Sequence, residues 1–121
     1  MACLFVDVDK FKLINDTFGH RFGDEVLLAV VKELDEATTA RAKIGRYAGD
    51  EFVVFCCFDD EESVLNFYHT LEITLVQAHH INDIQFSVSV GLSYEKTPES
   101  LEVLIAQADK NMYQIKQKKS P

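Results

Sequence analysis

Residues 2–8 read ACLFVDV and residues 42–58 read AKIGRYAGDEFVVFCCF, and these two stretches decide the fold. The first is a continuous apolar run with one acid near its end, the pattern of a strand that is buried on both faces. The second contains two apolar runs separated by a short turn, which predicts a β-hairpin. The two runs are 42–47 and 52–58, and the turn is Ala48-Gly49-Asp50-Glu51.

Helical periodicity is found on both sides of the hairpin. A short helical turn is expected from Asp9 to about Asn15, and an amphipathic helix from His20 to about Ala37. Further helices are predicted over about 60–79, capped by Asp59, and after the pair Thr97-Pro98, with a strand over 84–94 between them. The residues expected to face the core are Leu27, Val30, Val31 and Leu34, then Val64, Phe67, Tyr68, Leu71 and Leu75, and then Leu101, Leu104, Ile105, Ala108, Met112 and Ile115.

The element order β-α-α-β-β-α-β-α predicts an α+β fold in which helices pack on a central, mainly antiparallel sheet. This order resembles the palm-like fold of nucleotidyl cyclases and polymerases. The chain has 121 residues, enough for one domain with its own core. Its three cysteines lie in apolar runs, so buried free thiols in a reducing compartment are expected.

The charge of the chain excludes some partners. With 20 acids against 12 bases the net charge is −8, which argues against binding to nucleic acid or to an anionic membrane. A phosphate-bearing small ligand stays compatible, because a divalent cation can reverse the local charge. No apolar stretch is long enough to span a membrane, and residues 1–8 do not resemble a signal peptide, so we expect a cytoplasmic domain.

Asp7 is the first candidate for chemistry. It follows five apolar residues in the first predicted strand, where an ionised carboxylate is costly unless a cation pairs with it. If this strand lies beside the hairpin, Asp7 and Asp50 converge at one end of the sheet. Two carboxylates and a backbone carbonyl suit Mg²⁺, and such a site supports phosphoryl chemistry. The alternative from spacing alone is that these acids are solvated residues at turns and strand ends.

Four separated motifs then resemble one family. They are FVDVDKFKLINDTFGHRFGDEVL, RYAGDEFVVF, FSVSVGLS and ADKNMYQIK, and together they run from Cys3 to Lys116. In this order they resemble the GGDEF domain of diguanylate cyclases. The resemblance implies one GGDEF domain over residues 1–121 that lacks the segment usually found before the first strand. It also implies condensation of two GTP into cyclic di-GMP and pyrophosphate by a homodimer, with fusion to sensor or phosphodiesterase domains in the full protein.

The resemblance also implies site residues. Two Mg²⁺ or Mn²⁺ ions in each half-site would be held by Asp7, Asp50 and the carbonyl of Val8. Asp50 and Glu51 would be catalytic, Glu51 by assisting the metal or by activating the 3′-hydroxyl, and Asp9 would support the site without binding the metal directly. The residues implied to bind GTP are Lys12, Gly49 and Lys116 at the phosphates and Asn15 and Asp24 at the guanine. A carboxylate can accept the paired N–H donors of guanine, which adenine lacks.

The sequence departs from the family pattern in three further places. Ala48 replaces the first glycine of the signature, which is tolerated if its φ is not positive. Thr39–Ala42 stand where the family has an inhibitory Arg-x-x-Asp, so no product inhibition is expected there. Ser120 stands where the family has an arginine. We interpret the neighbouring lysines of the last helix, Lys118 and Lys119, as complements to its dipole.

These departures keep two other functions open. One is a non-catalytic GTP-binding regulatory module, which the missing arginine and Ala48 favour. The other is a different palm-type cyclase or polymerase fragment, which requires only a metal pair and leaves the guanine-binding positions unexplained.

Overall fold

A computed structural model of the chain describes residues 1–38, 42–75, 79–81 and 84–119. Its elements follow the predicted order, except that one strand is added and another is divided. In chain order they are β1 (Ala2–Val8), α1 (Phe11–Phe18), α2 (His20–Ala37), β2 (Ala42–Ala48), β3 (Glu51–Cys56), α3 (Glu61–Leu75), β4 (His79–Ile81), β5 (Ile84–Phe86), β6 (Val88–Tyr94) and α4 (Leu101–Lys119).

β1 lies at the centre of the structure, with a strand hydrogen-bonded along each of its edges. The sheet order is β2-β3-β1-β6, and every neighbouring pair is antiparallel. Strands β4 and β5 form a separate antiparallel pair. All seven residues of β1 are buried, as its apolar run predicts. The predicted α+β fold with a mainly antiparallel sheet is therefore confirmed.

The two faces of β1 pack against different helices, because successive side chains of a strand point to opposite faces. Even-numbered residues of β1 belong to the larger core, which includes buried residues of α2 and α3. Cys3 and Phe5 belong to a smaller core that buried side chains of α4 complete. The same alternation places Asp7 on the α4 side of the sheet.

Helix α4 lies directly against β6 at Gly91. A Cβ built on Gly91 would lie 2.2 Å from the backbone nitrogen of Met112 and 2.3 Å from the carbonyl oxygen of Ala108. Because both are backbone atoms, only a residue without a side chain allows this approach. The side-chain amide of Asn111 also donates a hydrogen bond to the carbonyl oxygen of Leu92 at 2.6 Å. These contacts fix where the last turn of α4 lies.

Three residues expected to be buried are exposed. Helical periodicity predicts that Val31 and Leu101 face the core, but they are 36% and 49% exposed. The apolar run around Cys57 predicts a buried thiol. Leu101 is the first residue of α4, one turn before the first buried position, Leu104. Cys57 follows the end of β3 and is exposed, whereas Cys3 and Cys56 are buried free thiols. The other predicted core residues are buried or half-buried.

The predicted starts of two helices are also corrected. Asp60, not Asp59, accepts the backbone N–H of the residue three positions later, at 2.8 Å, and caps α3. Ser100 accepts the N–H three positions later at 3.2 Å and caps α4, so the pair Thr97-Pro98 precedes the cap. An N-cap side chain must stand two or three residues before the N–H that it accepts, and only these two residues meet that spacing here.

The segment after α3 differs from the prediction as well. Residues 79–81 form β4, where the sequence predicts no strand, and Ile81 lies opposite Ile84 in the β4–β5 pair. Both isoleucines pack partly buried against the larger core. The strand predicted over 84–94 is divided at Ser87, because 84–86 pair with β4 while 88–94 pair with β1.

Candidate active site

The end of β1 and the turn between β2 and β3 meet at one corner of the sheet. In the β1–β3 ladder Asp7 lies opposite Glu51. The backbone N–H of Val8 donates a hydrogen bond to the carbonyl oxygen of Asp50 at 3.4 Å. The carboxyl group of Asp50 lies near enough to that of Asp7 to raise its pKa. We call these four residues, Asp7, Val8, Asp50 and Glu51, the acidic corner.

The carboxylate of Asp7 is only partly satisfied by the protein. The residue is 8% exposed, and its Oδ2 accepts a hydrogen bond from the Lys116 ammonium at 2.6 Å. The same ammonium lies 3.4 Å from the carbonyl oxygen of Val8. The other oxygen of Asp7, Oδ1, is buried and accepts no hydrogen bond. A buried carboxylate oxygen without a hydrogen bond favours a proton or a cation beside it.

The pKa values of two carboxyl groups in the acidic corner, Asp7 and Glu51, are raised. The pKa of Asp7 is raised to about 7: burial is the largest cause, Asp50 adds to it, and the ion pair with Lys116 opposes both. Burial also raises the pKa of Glu51, and the charges of Asp50 and Asp109 add to this effect. The corner therefore favours an added positive charge, either a bound proton or a metal ion.

The donor set of the acidic corner fits Mg²⁺. Carboxylate and carbonyl oxygens are the hard ligands that this ion prefers. The Oδ1 atom of Asp7, which accepts no hydrogen bond, is available as such a ligand. In the described part of the chain, no group of three or more His, Cys, Asp or Glu side chains converges as a metal site. Coordination would thus be completed by water or phosphate oxygens, as is usual for Mg²⁺ bound with a nucleotide.

A second cluster lies beside the corner and is centred on Asp9. The hydroxyls of Ser87 and Ser89 each donate a hydrogen bond to its carboxylate at 2.6 Å, and the Lys119 ammonium donates one at 3.0 Å. Burial raises the pKa of Asp9, but these hydrogen bonds outweigh it and hold the pKa below its ordinary value. We call Asp9, Ser87, Ser89 and Lys119 the Asp9 cluster.

The two predicted guanine-binding residues lie on α1 and α2. Asn15 on α1 packs against Gly23 on α2, because a Cβ built on Gly23 would lie 1.8 Å from the side-chain oxygen of Asn15. That oxygen is buried and accepts no hydrogen bond. Asp24 follows Gly23 and is exposed. The structure therefore places Asn15 beside the start of α2, one residue from Asp24.

The three predicted phosphate-binding residues are placed differently from one another. The Lys116 ammonium lies at the acidic corner, on Asp7. Lys12 is exposed on α1, and within the described residues it does not contact the acids of the corner. Gly49 is exposed, and the Arg46 guanidinium donates two hydrogen bonds to its carbonyl oxygen at 3.1 and 2.6 Å. A Cβ on Gly49 would contact no protein atom within 4 Å, so protein packing does not explain this glycine.

Sequence reasoning missed four residues of this region: Ser87, Ser89, Lys119 and Arg46. The two serines alternate along the strand segment, so they share one face, and this was the available signal. Lys119 lies one helical turn after Lys116, and Arg46 lies three residues before Gly49. The interpretation of Lys119 as only a complement to the helix dipole is incomplete, since its ammonium binds Asp9 and, at 2.8 Å, the carbonyl oxygen of Val88.

A cavity of about 880 Å³ lies next to the Asp9 cluster, between α1, the β5–β6 junction and α4. Three residues of the cluster, Asp9, Ser87 and Lys119, line this cavity, and its other lining residues include Leu13, Phe18, Phe86, Tyr113 and Lys116. The cavity does not include Asp7, Asp50, Asn15 or Asp24. We therefore place the candidate active site at the acidic corner, where the unsatisfied carboxylate lies, and not in this cavity.

One known protein family matches the whole chain. The family model for "Diguanylate cyclase, GGDEF domain" matches residues 1–121. The chain belongs to the GGDEF domain family. The GGDEF domain is 42% identical over 115 residues to the probable diguanylate cyclase DgcI of Escherichia coli K12, covering 94% of this chain and 25% of that protein. It is 34% identical over 117 residues to the diguanylate cyclase DgcZ of the same strain, covering 94% and 40%. The chain thus spans between a quarter and two fifths of these two relatives.

Solved structures of GGDEF domains share the fold. The GGDEF domain of PA1120 (YfiN or TpbB) from Pseudomonas aeruginosa matches with a TM-score of 0.84 and 27% identity, covering 97% of this chain and 76% of that one. The GGDEF domain of DgcB from Caulobacter crescentus, solved in complex with c-di-GMP, matches with a TM-score of 0.80 and 26% identity, covering 96% and 72%.

Several expectations for the GGDEF signature can now be placed. Among the described residues Lys10 is the only one other than glycine with a positive φ, so Ala48 fits its turn without strain. Residues 39–41 of the expected defective inhibitory site, and Ser120 of the tail, lie outside the described residues. None of the helices in the described part of the chain is long and apolar enough to cross a membrane.

Proposed function

We propose that this GGDEF domain is a diguanylate cyclase, which condenses two GTP molecules into cyclic di-GMP and releases pyrophosphate. The observation that carries the proposal is the buried oxygen of Asp7 that accepts no hydrogen bond, at the sheet corner where Asp7 lies opposite Glu51 and Asp50 raises its pKa. Such a group of acids at the end of a strand calls for a divalent cation. The names of the relatives, diguanylate cyclases with up to 42% identity, support the same activity.

The proposed mechanism assigns one task to each group. Asp7, Asp50 and the carbonyl of Val8 would hold Mg²⁺ or Mn²⁺, which neutralises phosphate charge and favours attack by a hydroxyl. The 3′-oxygen of one GTP forms a bond to the α-phosphorus of the other, and the bond from that phosphorus to pyrophosphate breaks. The reciprocal attack then closes the ring and releases a second pyrophosphate. Glu51, whose pKa burial raises, accepts the proton of the 3′-hydroxyl. Lys116 then neutralises phosphate charge in place of its pairing with Asp7.

Substrate selection follows from the packing of α1 against α2. Asn15 holds a buried side-chain oxygen without a hydrogen bond and packs on Gly23, and the next residue, Asp24, is exposed. Guanine presents N1–H and N2–H₂ donors on one edge, which a carboxylate and an amide oxygen can accept together. Adenine lacks this donor pair and would leave both acceptors unpaired. Lys12, one helical turn before Asn15, would bind the triphosphate.

The product also requires two copies of the domain. Each copy offers one acidic corner and one Asn15–Asp24 pair, whereas cyclic di-GMP contains two guanosines. Two domains facing each other would align two GTP molecules, and much of the rate would come from this alignment. Product formation by the purified chain should therefore rise more steeply than in proportion to its concentration.

Product formation tests the proposal directly. The chain is incubated with GTP and Mg²⁺ over a range of protein concentrations, and cyclic di-GMP is measured by mass spectrometry. Asp50→Asn should abolish the product, and Asp16→Asn, which alters an exposed acid on α1, should keep it. Absence of product from the unmodified chain at all concentrations, with GTP still bound, would refute the cyclase.

That outcome would support the second candidate, a GTP-binding regulatory module without turnover. One observation favours it: the Lys119 ammonium is held by Asp9 and by the Val88 carbonyl, and so is not available to bind phosphate in the position of the family's arginine. Binding of GTP without turnover would then assign the domain to signalling by ligand occupancy.

A further inference from the structure

The last turn of α4 holds the end of β1 at two points. The Lys116 ammonium lies 2.6 Å from the carboxylate of Asp7, and the Lys119 ammonium lies 3.0 Å from that of Asp9. Residues three apart on a helix share one face, and residues two apart on a strand share one face, so the two pairs form side by side. The first pair involves the proposed metal site, and the second has no role in the proposed chemistry.

The second ion pair, between Lys119 and Asp9, is surrounded by more hydrogen bonds than the first. Asp9 accepts hydrogen bonds from Ser87, Ser89 and Lys119, and its backbone N–H donates to the carbonyl oxygen of Ser87 at 2.9 Å. The Lys119 ammonium also donates a hydrogen bond to the carbonyl oxygen of Val88. Three hydrogen bonds thereby turn the carboxylate of Asp9 toward β6 and α4 and use most of its acceptor capacity.

The residue that follows Asp9, Lys10, has an unfavourable backbone conformation. Lys10 has φ 55° and ψ 39°, the left-handed conformation, which is unfavourable for a residue with a side chain. Lys10 is the N-cap of α1, and no side chain caps that helix. A strained residue of this kind persists only where its surroundings fix the backbone. The Asp9 cluster supplies that fixation immediately before the strained residue.

Helix α1 begins directly after the Asp9 cluster and Lys10. The carbonyl oxygen of Lys10 accepts the first hydrogen bond of the helix, from the N–H of Ile14 at 3.0 Å. Asn15 follows on the next position and packs on Gly23. On the other side of Asp9, the carbonyl of Val8 belongs to the acidic corner. One cluster thus lies between the metal ligands and the guanine-binding residues.

We propose that Lys119 is a positioning residue which, through Asp9, holds the β1–α1 connection in the conformation needed by both the metal ligands and Asn15. The proposal rests on the proposed function for the identity of the two ligands, a divalent cation and GTP. In this proposal Lys119 itself binds neither the cation nor GTP, but loss of the Lys119 side chain weakens the binding of both.

The test compares two lysines of the same helix turn. Lys119→Met keeps the length of the side chain and removes its charge, and Lys118→Met does the same at an exposed position outside both clusters. Mn²⁺ binding to the nucleotide-free chain is measured by electron paramagnetic resonance, and GTP binding is measured by calorimetry. Lys119→Met should weaken Mn²⁺ binding about tenfold, as loss of groups that orient metal ligands commonly does. Lys118→Met should bind Mn²⁺ as the unmodified chain does.

Two further variants, Lys119→Arg and Lys10→Gly, test the proposed role of Lys119 more strictly. Lys119→Arg keeps the charge and should restore most of the Mn²⁺ affinity. Lys10→Gly removes the conformational strain that the cluster is proposed to maintain, because glycine adopts positive φ freely. In that background Lys119→Met should cost less GTP affinity than in the unmodified chain. An equal loss in both backgrounds would contradict the part of the proposal that runs through Lys10.

The outcomes separate this proposal from the proposed function. If Lys119→Met binds Mn²⁺ like the unmodified chain, or if Lys118→Met loses as much, the positioning role is wrong even when cyclic di-GMP forms. If the unmodified chain forms no cyclic di-GMP but Lys119→Met weakens Mn²⁺ and GTP binding, the positioning role stands and the cyclase activity fails.

Discussion

Replacing Asp7 by asparagine tests the charge balance of the acidic corner. In the metal-free protein, burial and the nearby Asp50 raise the pKa of Asp7 to about 7, whereas a free aspartate has a pKa of about 4. The folded state therefore binds this proton more tightly than the unfolded state does. The protonated side chain contributes stability that is fully present below about pH 4, and this stability is lost as the pH rises through about 7.

The magnitude follows from the shift. About three pKa units at about 1.4 kcal/mol each give an upper bound of about 4 kcal/mol for the cost of the ionised carboxylate at pH 8. Relaxation and water around the site reduce this cost, and we expect about 1 to 3 kcal/mol. Asparagine keeps the shape of the side chain without its charge. The partner Lys116 has a side chain that is 26% exposed, so its ammonium can turn to water.

Urea unfolding followed by circular dichroism, in the presence of a chelator, measures this effect. Asp7→Asn should raise the free energy of unfolding at pH 8, and the gain should shrink as the pH is lowered toward 4. Asp16→Asn removes an equal charge at an exposed position and should show no such gain. If Asp7→Asn were less stable than the unmodified chain at pH 8, the carboxylate would be stabilising and our account of the corner would be wrong. Added Mg²⁺ should stabilise the unmodified chain and not the variant.

Three further predictions concern packing and reactivity. Gly91→Ala should lower the free energy of unfolding in urea by about 3 kcal/mol or more, because the added methyl group would overlap the backbone of α4. Gly45→Ala is the control: a Cβ there would meet no atom within 4 Å, so the free energy of unfolding should change by less than about 1 kcal/mol. Gly23→Ala should displace the amide of Asn15 and weaken GTP binding about tenfold by calorimetry; unchanged affinity would separate Asn15 from guanine binding. Cys57 should react first and alone with one equivalent of a thiol reagent under native conditions, because the other two cysteines are buried and burial raises the pKa of both thiols; rapid labelling of all three would contradict the described core.

The sequence was sufficient to predict most of the fold, because periodicity is a local property of the chain. The apolar run of β1, the turn at Gly49 and the stripe of α2 each predict their element without reference to the rest of the molecule. The errors in the predicted fold occur where a local sequence pattern is compatible with more than one structure. Thr97-Pro98 and Ser100 are both acceptable helix starts, and only the hydrogen bond to the backbone distinguishes them. The short strand β4 depends on its pairing with β5, which no local pattern encodes.

The site was predictable in part for the same reason. Asp7 and Asp50 stand at the ends of recognisable strands, so their approach follows once the sheet order is known. Lys119 could not be assigned in this way. Its contact with Asp9 depends on how far α4 extends along β6, and the close packing at Gly91 sets that distance. A lysine at the end of a helix carries the same local pattern whether or not it has such a partner.

The two ion pairs between α4 and β1 also bear on how the domain is made. They join residues 109 and 110 positions apart, nearly the full length of the chain. During synthesis on the ribosome, β1 and its acids emerge before the rest of this domain, and the lysines that neutralise them emerge only after the other elements of the domain have been translated. A nascent chain therefore carries an unneutralised acidic strand until its last helix leaves the exit tunnel. An interrupted translation product would lack a finished nucleotide site, however well its helices had formed.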